Sequence, residues 1–344
     1  MIKGETVSRS GRTVGMAGAG LLCAVAMLGT SAVAHAEEQP ADALAAVAAV
    51  APEVLDAAAN MAESESGAEA ANFTGGDVEV SVPTDAADGA VLRTSDRELT
   101  VSLPFADQAA DAVVESAGVA TFDNNNSSST ASVVREDGSL QILTVIESAA
   151  APTRYDYDLS VPSGGAITVR DDGVVIITDE SGDFAGTVAP AWAKDATGVP
   201  VATRYEVHGN TLTQVVEHGA ATQYPVVADP WLGITLFKSF KRDKYHGDYR
   251  YSAWVTGPGA VVLSGGGGVG GYAAGQAVFR GSGWDEWKKK WPAITNKATL
   301  QQQYNCHVAA GLYGLPFTQD YNLERYRANR ANWVSGVASH RCNW

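Results

Sequence analysis

Hydrophobic and polar positions alternate with a period of two through much of the middle of the chain. Val78-Glu79-Val80-Ser81-Val82 and Leu99-Thr100-Val101-Ser102-Leu103 each put every second side chain on one face, the mark of a half-buried strand. Ala166 to Val169 alternates likewise, Asp171-Asp172-Gly173 supplies a turn, and Val174 to Thr178 continues as an apolar run, which predicts a hairpin. Tyr205-Glu206-Val207, His208-Gly209-Asn210 and Thr211 to Val216 predict a second. Asn124 to Ser129 reads as an exposed polar loop between such segments. No long helical period interrupts residues 77–230, so an antiparallel all-β domain is expected there.

The pattern differs on either side. Residues 37–76 are rich in alanine and acid; Leu44, Val47, Val54 and Leu55 mark an apolar helical face that Pro52 interrupts. This stretch is read as a spacer, helical or disordered. After Trp231, Tyr249 to Thr256 and Ala260 to Ser264 read as strands, followed by a glycine-rich run. Trp284, Trp287 and Trp291 recur at helical spacing in a segment that stops at Pro292. A further helix is expected from Lys297 to Tyr313, capped by Asn296 and ended by Gly314, with Leu300, Tyr304, Val308 and Leu312 on its apolar face. Seven of the eight tryptophans lie at or after position 231. The expected architecture is therefore multidomain: an antiparallel all-β domain, 77–230, followed by a small disulfide-linked α+β domain, 231–344.

The first residues carry a different signal. Lys3, Arg9 and Arg12 precede an apolar run from Val14 to about Leu28, and small residues lead to Ala34-His35-Ala36. A basic segment, a short apolar segment and an Ala-x-Ala site predict a signal peptide over 1–36, cut between Ala36 and Glu37. Leu21 and Leu22 before Cys23 fit lipidation poorly. No later run reaches the roughly 20 apolar residues that a spanning helix needs, so no integral membrane span is expected after processing. The expected location is secreted, extracellular.

Removal of that segment leaves two cysteines, Cys306 and Cys342. An even count in an exported chain predicts that they pair. The chain-entropy relation gives the closed loop a stabilisation of roughly 4 kcal/mol.

Charge separates the two halves. Residues 37–230 carry a net −25 and residues 231–344 a net +8, within a chain of net −15. Such asymmetry fits mutual masking or an anionic partner for the tail. The basic residues of the tail form two groups: Lys238, Lys241, Arg242, Lys244 and Arg250, and then Lys288, Lys289 and Lys290 between tryptophans. Lysine and arginine interleaved with aromatics suit an anionic polymer or a nucleic-acid groove. The plainer reading of Lys288 to Lys290 is a solvated helix face over buried tryptophans.

Few motifs bear chemistry. Gly265 to Gly270 matches a dinucleotide fingerprint only as any glycine run does; no Gly-Lys-Ser/Thr follows and no βαβ unit surrounds it, so it reads as a flexible connection. No histidine or cysteine has the spacing of a metal site, and neither a cofactor nor a metal is expected. His307 follows Cys306 and His340 lies two residues before Cys342, so a bridge brings both histidines into one neighbourhood. With Glu324, Arg325 and Arg327 they form a candidate acid, base and anion clamp for phosphodiester cleavage. The competing reading makes them polar residues packed around the bridge.

Four motifs together, Gly283-Trp284-Asp285-Glu286-Trp287, Gln303-Tyr304-Asn305-Cys306-His307, Tyr321-Asn322-Leu323-Glu324-Arg325-Tyr326-Arg327 and Cys342-Asn343, resemble the C-terminal region of exported, mainly actinobacterial proteins with the domain of unknown function 2599. Arg325-Tyr326 and Trp344 differ from the usual Pro-Trp and Pro of that pattern. The resemblance covers roughly the last 100 residues and implies export and a disulfide, without an activity. The segment from Pro190 to Trp231 resembles the β-rich segments that precede variable effector domains in actinobacterial polymorphic toxins, where they act in delivery. The leading expectation is a non-enzymatic exported module whose basic tail engages an anionic envelope polymer or a protein. The alternative is a secreted antibacterial toxin, possibly a nuclease acting on nucleic acid, with residues 231–344 as effector.

Overall fold

A computed structural model describes residues 42–60, 67–116, 118–264, 269–311 and 320–344. The expected cleavage site, Ala36 and Glu37, lies outside them. Asp42 caps the first helix, α1 (Ala43–Val50), by accepting a hydrogen bond from the Ala45 amide at 3.1 Å. Pro52 opens α2 (Pro52–Leu55). Four strands follow as an antiparallel sheet in chain order: β1 (Glu69–Gly75), β2 (Val78–Pro83), β3 (Ala90–Arg93) and β4 (Glu98–Val101). Val78, Val80 and Val82 of β2 point into the core, as their alternation requires.

The largest sheet has ten strands. β5 (Val113–Ser116), β6 (Val119–Asp123), β7 (Ser128–Val134) and β8 (Leu140–Ile146) form an antiparallel meander. After β9 (Arg154–Asp158), the chain adds β10 (Ala166–Val169), β11 (Val175–Thr178) and β12 (Phe184–Val188) at the far side. β13 (Ala193–Lys194) is short, and β14 (Thr203–His208) with β15 (Thr211–Val216) makes a hairpin paired to β9 in a three-stranded sheet. Finally β16 (Val226–Ala228) and β17 (Trp231–Gly233) both pair with β8, and β17 also pairs with β12, closing the order β10-β11-β12-β17-β8-β7-β6-β5. Both expected hairpins are present; at the first, Gly173 takes φ +82°, a conformation that costs glycine little.

Two expectations are corrected in this region. Residues 37–76 are not simply a spacer: Glu69–Gly75 is a strand, and α1 docks on the ten-stranded sheet. Ala43, Ala46, Val47 and Val50 pack there with Ala131, Val133, Leu143 and Val145. The other face of the sheet, with Val134, Leu140, Ile142 and Ile146, belongs to the main core. Covered on both sides, β7 and β8 are buried at every position, including Ser128, Ser129, Thr130 and Ser132. For the same reason Asn124 to Ser129 is not an exposed loop throughout. Asn125 and Ser127 face solvent, but Asn124 is buried, donating to Ser128 Oγ at 3.0 Å and accepting from Thr130 Oγ1 at 3.1 Å.

The tail forms a second, smaller layer. β18 (Phe237–Tyr245), β19 (Asp248–Val255) and β20 (Asp320–Glu324) make a three-stranded antiparallel sheet. With it go α3 (Gly257–Ser264), α4 (Val269–Val278), α5 (Trp284–Lys290), α6 (Ala298–Gly311) and α7 (Val337–His340). The segment expected as a strand over Ala260 to Ser264 is helical instead. Thr256 Oγ1 accepts from the Gly259 amide at 3.0 Å, the Thr256 carbonyl takes the Ala260 amide at 2.9 Å, and Pro258 fits a first helical turn. A short apolar run cannot by itself tell a strand from a buried helix. Gly265 to Gly268 lie outside the described residues. So do Leu312, Tyr313 and Gly314, where the end of α6 was expected. At its start, Pro292–Asn296 is a separate 3₁₀ turn, so α6 begins at Ala298 rather than directly after Asn296.

The core of this layer is aromatic. Phe237 meets Phe279, Trp287, Tyr304 and Tyr321 with ring centroids 5.1–6.0 Å apart; such pairs contribute about 0.5–1.5 kcal/mol each beyond their buried area. Trp284 and Trp287 of α5 are buried and Trp291 is partly so, as their spacing predicts. The chain switches from one core to the other between Ile234 and Leu236, yet Pro40–Trp344 forms one compact unit. The boundary expected at 230 falls between two neighbouring strands of the ten-stranded sheet, and Phe184 of β12 belongs to the tail's core. Among the described residues no helix is long and apolar enough to cross a membrane.

Candidate functional site

Turns of the acidic region and the start of β18 enclose a cleft of about 400 Å³. The β1–β2 turn contributes Gly75, Gly76 and Asp77, and the β3–β4 turn contributes Thr94 to Arg97. From the tail come Lys238, Phe240, Glu286, Lys289 and Lys290. Glu286 anchors the junction. It projects from the first turn of α5, and its carboxylate accepts from the Leu236 amide (3.1 and 3.2 Å), the Phe237 amide (3.1 Å) and Arg97 Nη1 (3.3 Å). The same Arg97 nitrogen donates to the Ile234 carbonyl at 3.0 Å. One carboxylate thus ties α5, the entry to β18 and the β3–β4 turn together. Burial pushes the Glu286 carboxyl up to about 7, against the opposing pull of Arg97 and the two amides.

The two basic groups read from the sequence differ, with Arg250 of the first group paired to Asp243. Each lysine of α5 has a carboxylate partner: Lys288 pairs with Asp285, Lys289 with Asp96, and Lys290 Nζ lies 2.9 Å from both oxygens of Asp77. Although burial pushes Asp96 up, Lys289, Arg97 and Thr94 together hold its carboxyl below the ordinary value. Lysines 289 and 290 therefore face acids of the front region.

The β18–β19 hairpin is different. Among the described residues, Lys238, Lys241, Arg242 and Lys244 have no carboxylate within the 4.0 Å of an ion pair. Lys241, Arg242 and Lys244 are exposed and Lys238 is half-buried. Their positions are set by the strand and its rings. Lys244 Nζ stands 3.8 Å and the Arg242 guanidinium 4.9 Å from the Tyr249 ring centre. Arg250 lies 4.6 Å over Tyr245 and pairs with Asp243, whose carboxyl it holds below the ordinary value. At the hairpin tip His246 stacks on Tyr326 at 4.7 Å. The result is an exposed basic ribbon on a rigid two-stranded support.

Cys306 and Cys342 are bonded, with Cα atoms 5.4 Å apart, and both are buried against Ala310 and Val337, with Trp333 and Trp344 packed alongside. The bridge pins α6 to the final segment. His307, 1% exposed, stacks on Tyr321 at 4.7 Å. Both nitrogens of His340 are engaged: Nδ1 accepts from the Cys342 amide at 3.0 Å, so Nε2 donates to the Trp333 carbonyl at 2.9 Å. Glu324 is buried and pairs with Arg327, which also donates to the Trp344 carbonyl. Arg325 binds Asp248 through Nη1 at 3.0 Å. In this conformation His340 and Arg327 hold the C-terminal residues, Glu324 supports Arg327, His307 packs on β20, and Arg325 ties the segment after β20 to Asp248. Among the described residues no group of three or more histidine, cysteine or carboxylate side chains is arranged to hold a metal.

Sequence reasoning missed Asp77, Asp96, Arg97 and Glu286. Their only sequence signals were an acidic residue in each of two short turns and the Glu of Trp-Asp-Glu-Trp, and the contacts join positions 189 to 213 residues apart. No protein-family model matches the chain, and no curated protein matches it either.

Proposed function

We propose that the chain is an exported, non-enzymatic binding module whose β18–β19 ribbon engages a linear anionic polymer of the cell envelope, while the acidic front region presents and partly covers the basic tail. One observation carries this reading: the cations of α5 are neutralised within the chain, whereas Lys238, Lys241, Arg242 and Lys244 are left without a carboxylate partner among the described residues. Arg242 and Lys244, held on a rigid strand over the Tyr249 ring, lose little side-chain freedom when an oxyanion binds. Export through the N-terminal signal, and kinship with the exported family that the C-terminal motifs resemble, belong to the same proposal.

The ribbon also points to the kind of polymer. Tyr249 and Tyr245 are faced by the ribbon's own cations, which favours an oxyanion backbone over a stacked nucleobase. The test is fluorescence anisotropy of labelled linear polyphosphate with residues 37–344, at several salt concentrations. Affinity that falls steeply with salt is expected. Incubation with plasmid DNA and total RNA, beside a His307→Ala/His340→Ala variant, tests the toxin alternative. Cleavage lost in that variant would replace the binding reading with a nuclease.

A further inference from the structure

We propose that the cleft is a second contact site for the same linear polyanion, and that Asp77 and Asp96 stand in for it in the free chain. This rests on the polyanion-binding reading above and extends it. Four cationic side chains, Arg97, Lys238, Lys289 and Lys290, line this cleft beside five carboxylates, Asp77, Asp96, Glu136, Asp137 and Glu286. Of these, Glu286 is held by Arg97 and two amides, and Asp137 by the Gly257 amide and Ser139. Lys238 connects it to the ribbon, standing three residues before Lys241 on β18. Strand alternation puts Lys238 and Lys241 on one face of β18 and Arg242 and Lys244 on the other, so the cleft continues the Lys241 face of the ribbon.

The carboxylates that now occupy the site are built to be displaced. Asp77 and Asp96 sit in the short turns before β2 and β4, not in the body of a strand. Lys290 grips both oxygens of Asp77, and Lys289 pairs with Asp96. These pairs are about half exposed: the Lys289 and Asp96 side chains are 53% and 35% exposed, and those of Lys290 and Asp77 38% and 51%. Exposed pairs are weak and salt-screened. A polymer already held by the ribbon presents its next oxyanions at high effective concentration, which lets it compete with the two carboxylates tethered in the chain. Binding then exchanges one set of ion pairs for another, with Asp77 and Asp96 released to solvent. Arg97 stays on Glu286, whose carboxylate is buried and takes two backbone amides besides.

The test compares labelled linear polyphosphate binding by residues 37–344 and three variants at low salt, each checked for native tryptophan fluorescence. Asp77→Asn/Asp96→Asn keeps side-chain size and removes the competitor; it is expected to bind roughly 3- to 30-fold tighter than the parent. Asp107→Asn/Asp111→Asn makes the same charge change at exposed acids outside the cleft and is expected to stay within roughly twofold of the parent. Lys241→Gln/Arg242→Gln/Lys244→Gln reports on the ribbon itself. Equal gains in the two aspartate variants, or no gain at Asp77 and Asp96, overturns the stand-in role while ribbon-dependent binding persists. Absence of binding in the parent and in every variant overturns both readings together. Tighter binding of single-stranded poly(dT) than of polyphosphate at equal charge overturns the choice of a base-free polymer.

Discussion

Replacing Glu286 by alanine removes the acceptor for two buried backbone amides and for Arg97 at the junction of the two cores. A buried donor left without a partner costs about 1–3 kcal/mol, and Glu286→Ala leaves two such amides while Arg97 loses an acceptor as well. These overlap, since solvent reaches the cleft and relieves part of the loss. The expected destabilisation of Glu286→Ala is therefore roughly 4 kcal/mol, a large share of the 5–15 kcal/mol typical of a folded protein. Glu286→Gln keeps one oxygen acceptor and is expected to lose about half as much. The pH dependence carries its own sign. The folded carboxyl titrates near 7 against 4.5 when free, so its stabilising influence is full below about 4.5 and is lost as pH rises to 7. At about 1.4 kcal/mol per pH unit, the wild type loses roughly 3 kcal/mol across that window through this group. Glutamine has no such slope, so the gap between wild type and Glu286→Gln narrows at pH 8 relative to pH 5. Urea unfolding followed by tryptophan fluorescence reads both effects, because seven of eight tryptophans lie beyond residue 230. A Glu286→Ala loss under about 1 kcal/mol, or a gap that widens with pH, refutes the assignment of Glu286 as the junction's anchor.

Two further outcomes follow from single residues. Cys306→Ser/Cys342→Ser opens the loop closed by the disulfide (separation 36 residues) and is expected to cost roughly 4 kcal/mol, read as a lower urea midpoint; a change under about 1 kcal/mol contradicts it. Asp229 is buried between β16 and β17, accepts from the Gln141 amide and the Trp192 backbone, and is pushed by burial up to about 8. Its contribution is full below about 3.8 and fades as pH rises through 8, so Asp229→Asn is expected to gain on the wild type between pH 5 and 9. Parallel pH curves for the two proteins contradict that.

What could be read from the sequence was local in physical origin. The Asp171-Asp172-Gly173 and His208-Gly209-Asn210 turns declare their hairpins because turn chemistry and strand alternation act over a few residues. The spacing of Trp284, Trp287 and Trp291 declared a helix for the same reason. The C-terminal motifs singled out in the sequence have structural tasks here. Gln303 and Glu324 exchange two hydrogen bonds between α6 and β20, Tyr304 donates to the Phe279 carbonyl, and Glu286 holds the entry to β18. What escaped notice depends on partners far along the chain. Asn124 to Ser129 reads as an exposed loop until α1 and the main core cover both faces of β7 and β8 and bury Ser128 and Ser129. Val261-Val262-Leu263 reads as strand until Thr256 caps a helix in front of it. Nor does any local pattern announce that Asp77 and Asp96 meet lysines of α5. The charge asymmetry implied only that some such meeting was favourable.

The central claim is that Lys241, Arg242 and Lys244 of the β18–β19 ribbon, which have no carboxylate partner among the described residues, bind a linear polyanion. Its most direct test is anisotropy of labelled polyphosphate with wild type and Lys241→Gln/Arg242→Gln/Lys244→Gln, across a salt series. Losing three ionic contacts is expected to weaken binding at least roughly tenfold and to flatten the slope of log affinity against log salt by about 2. Retained native fluorescence confirms that the ribbon is still folded. Unchanged affinity and slope in the folded variant would contradict the claim.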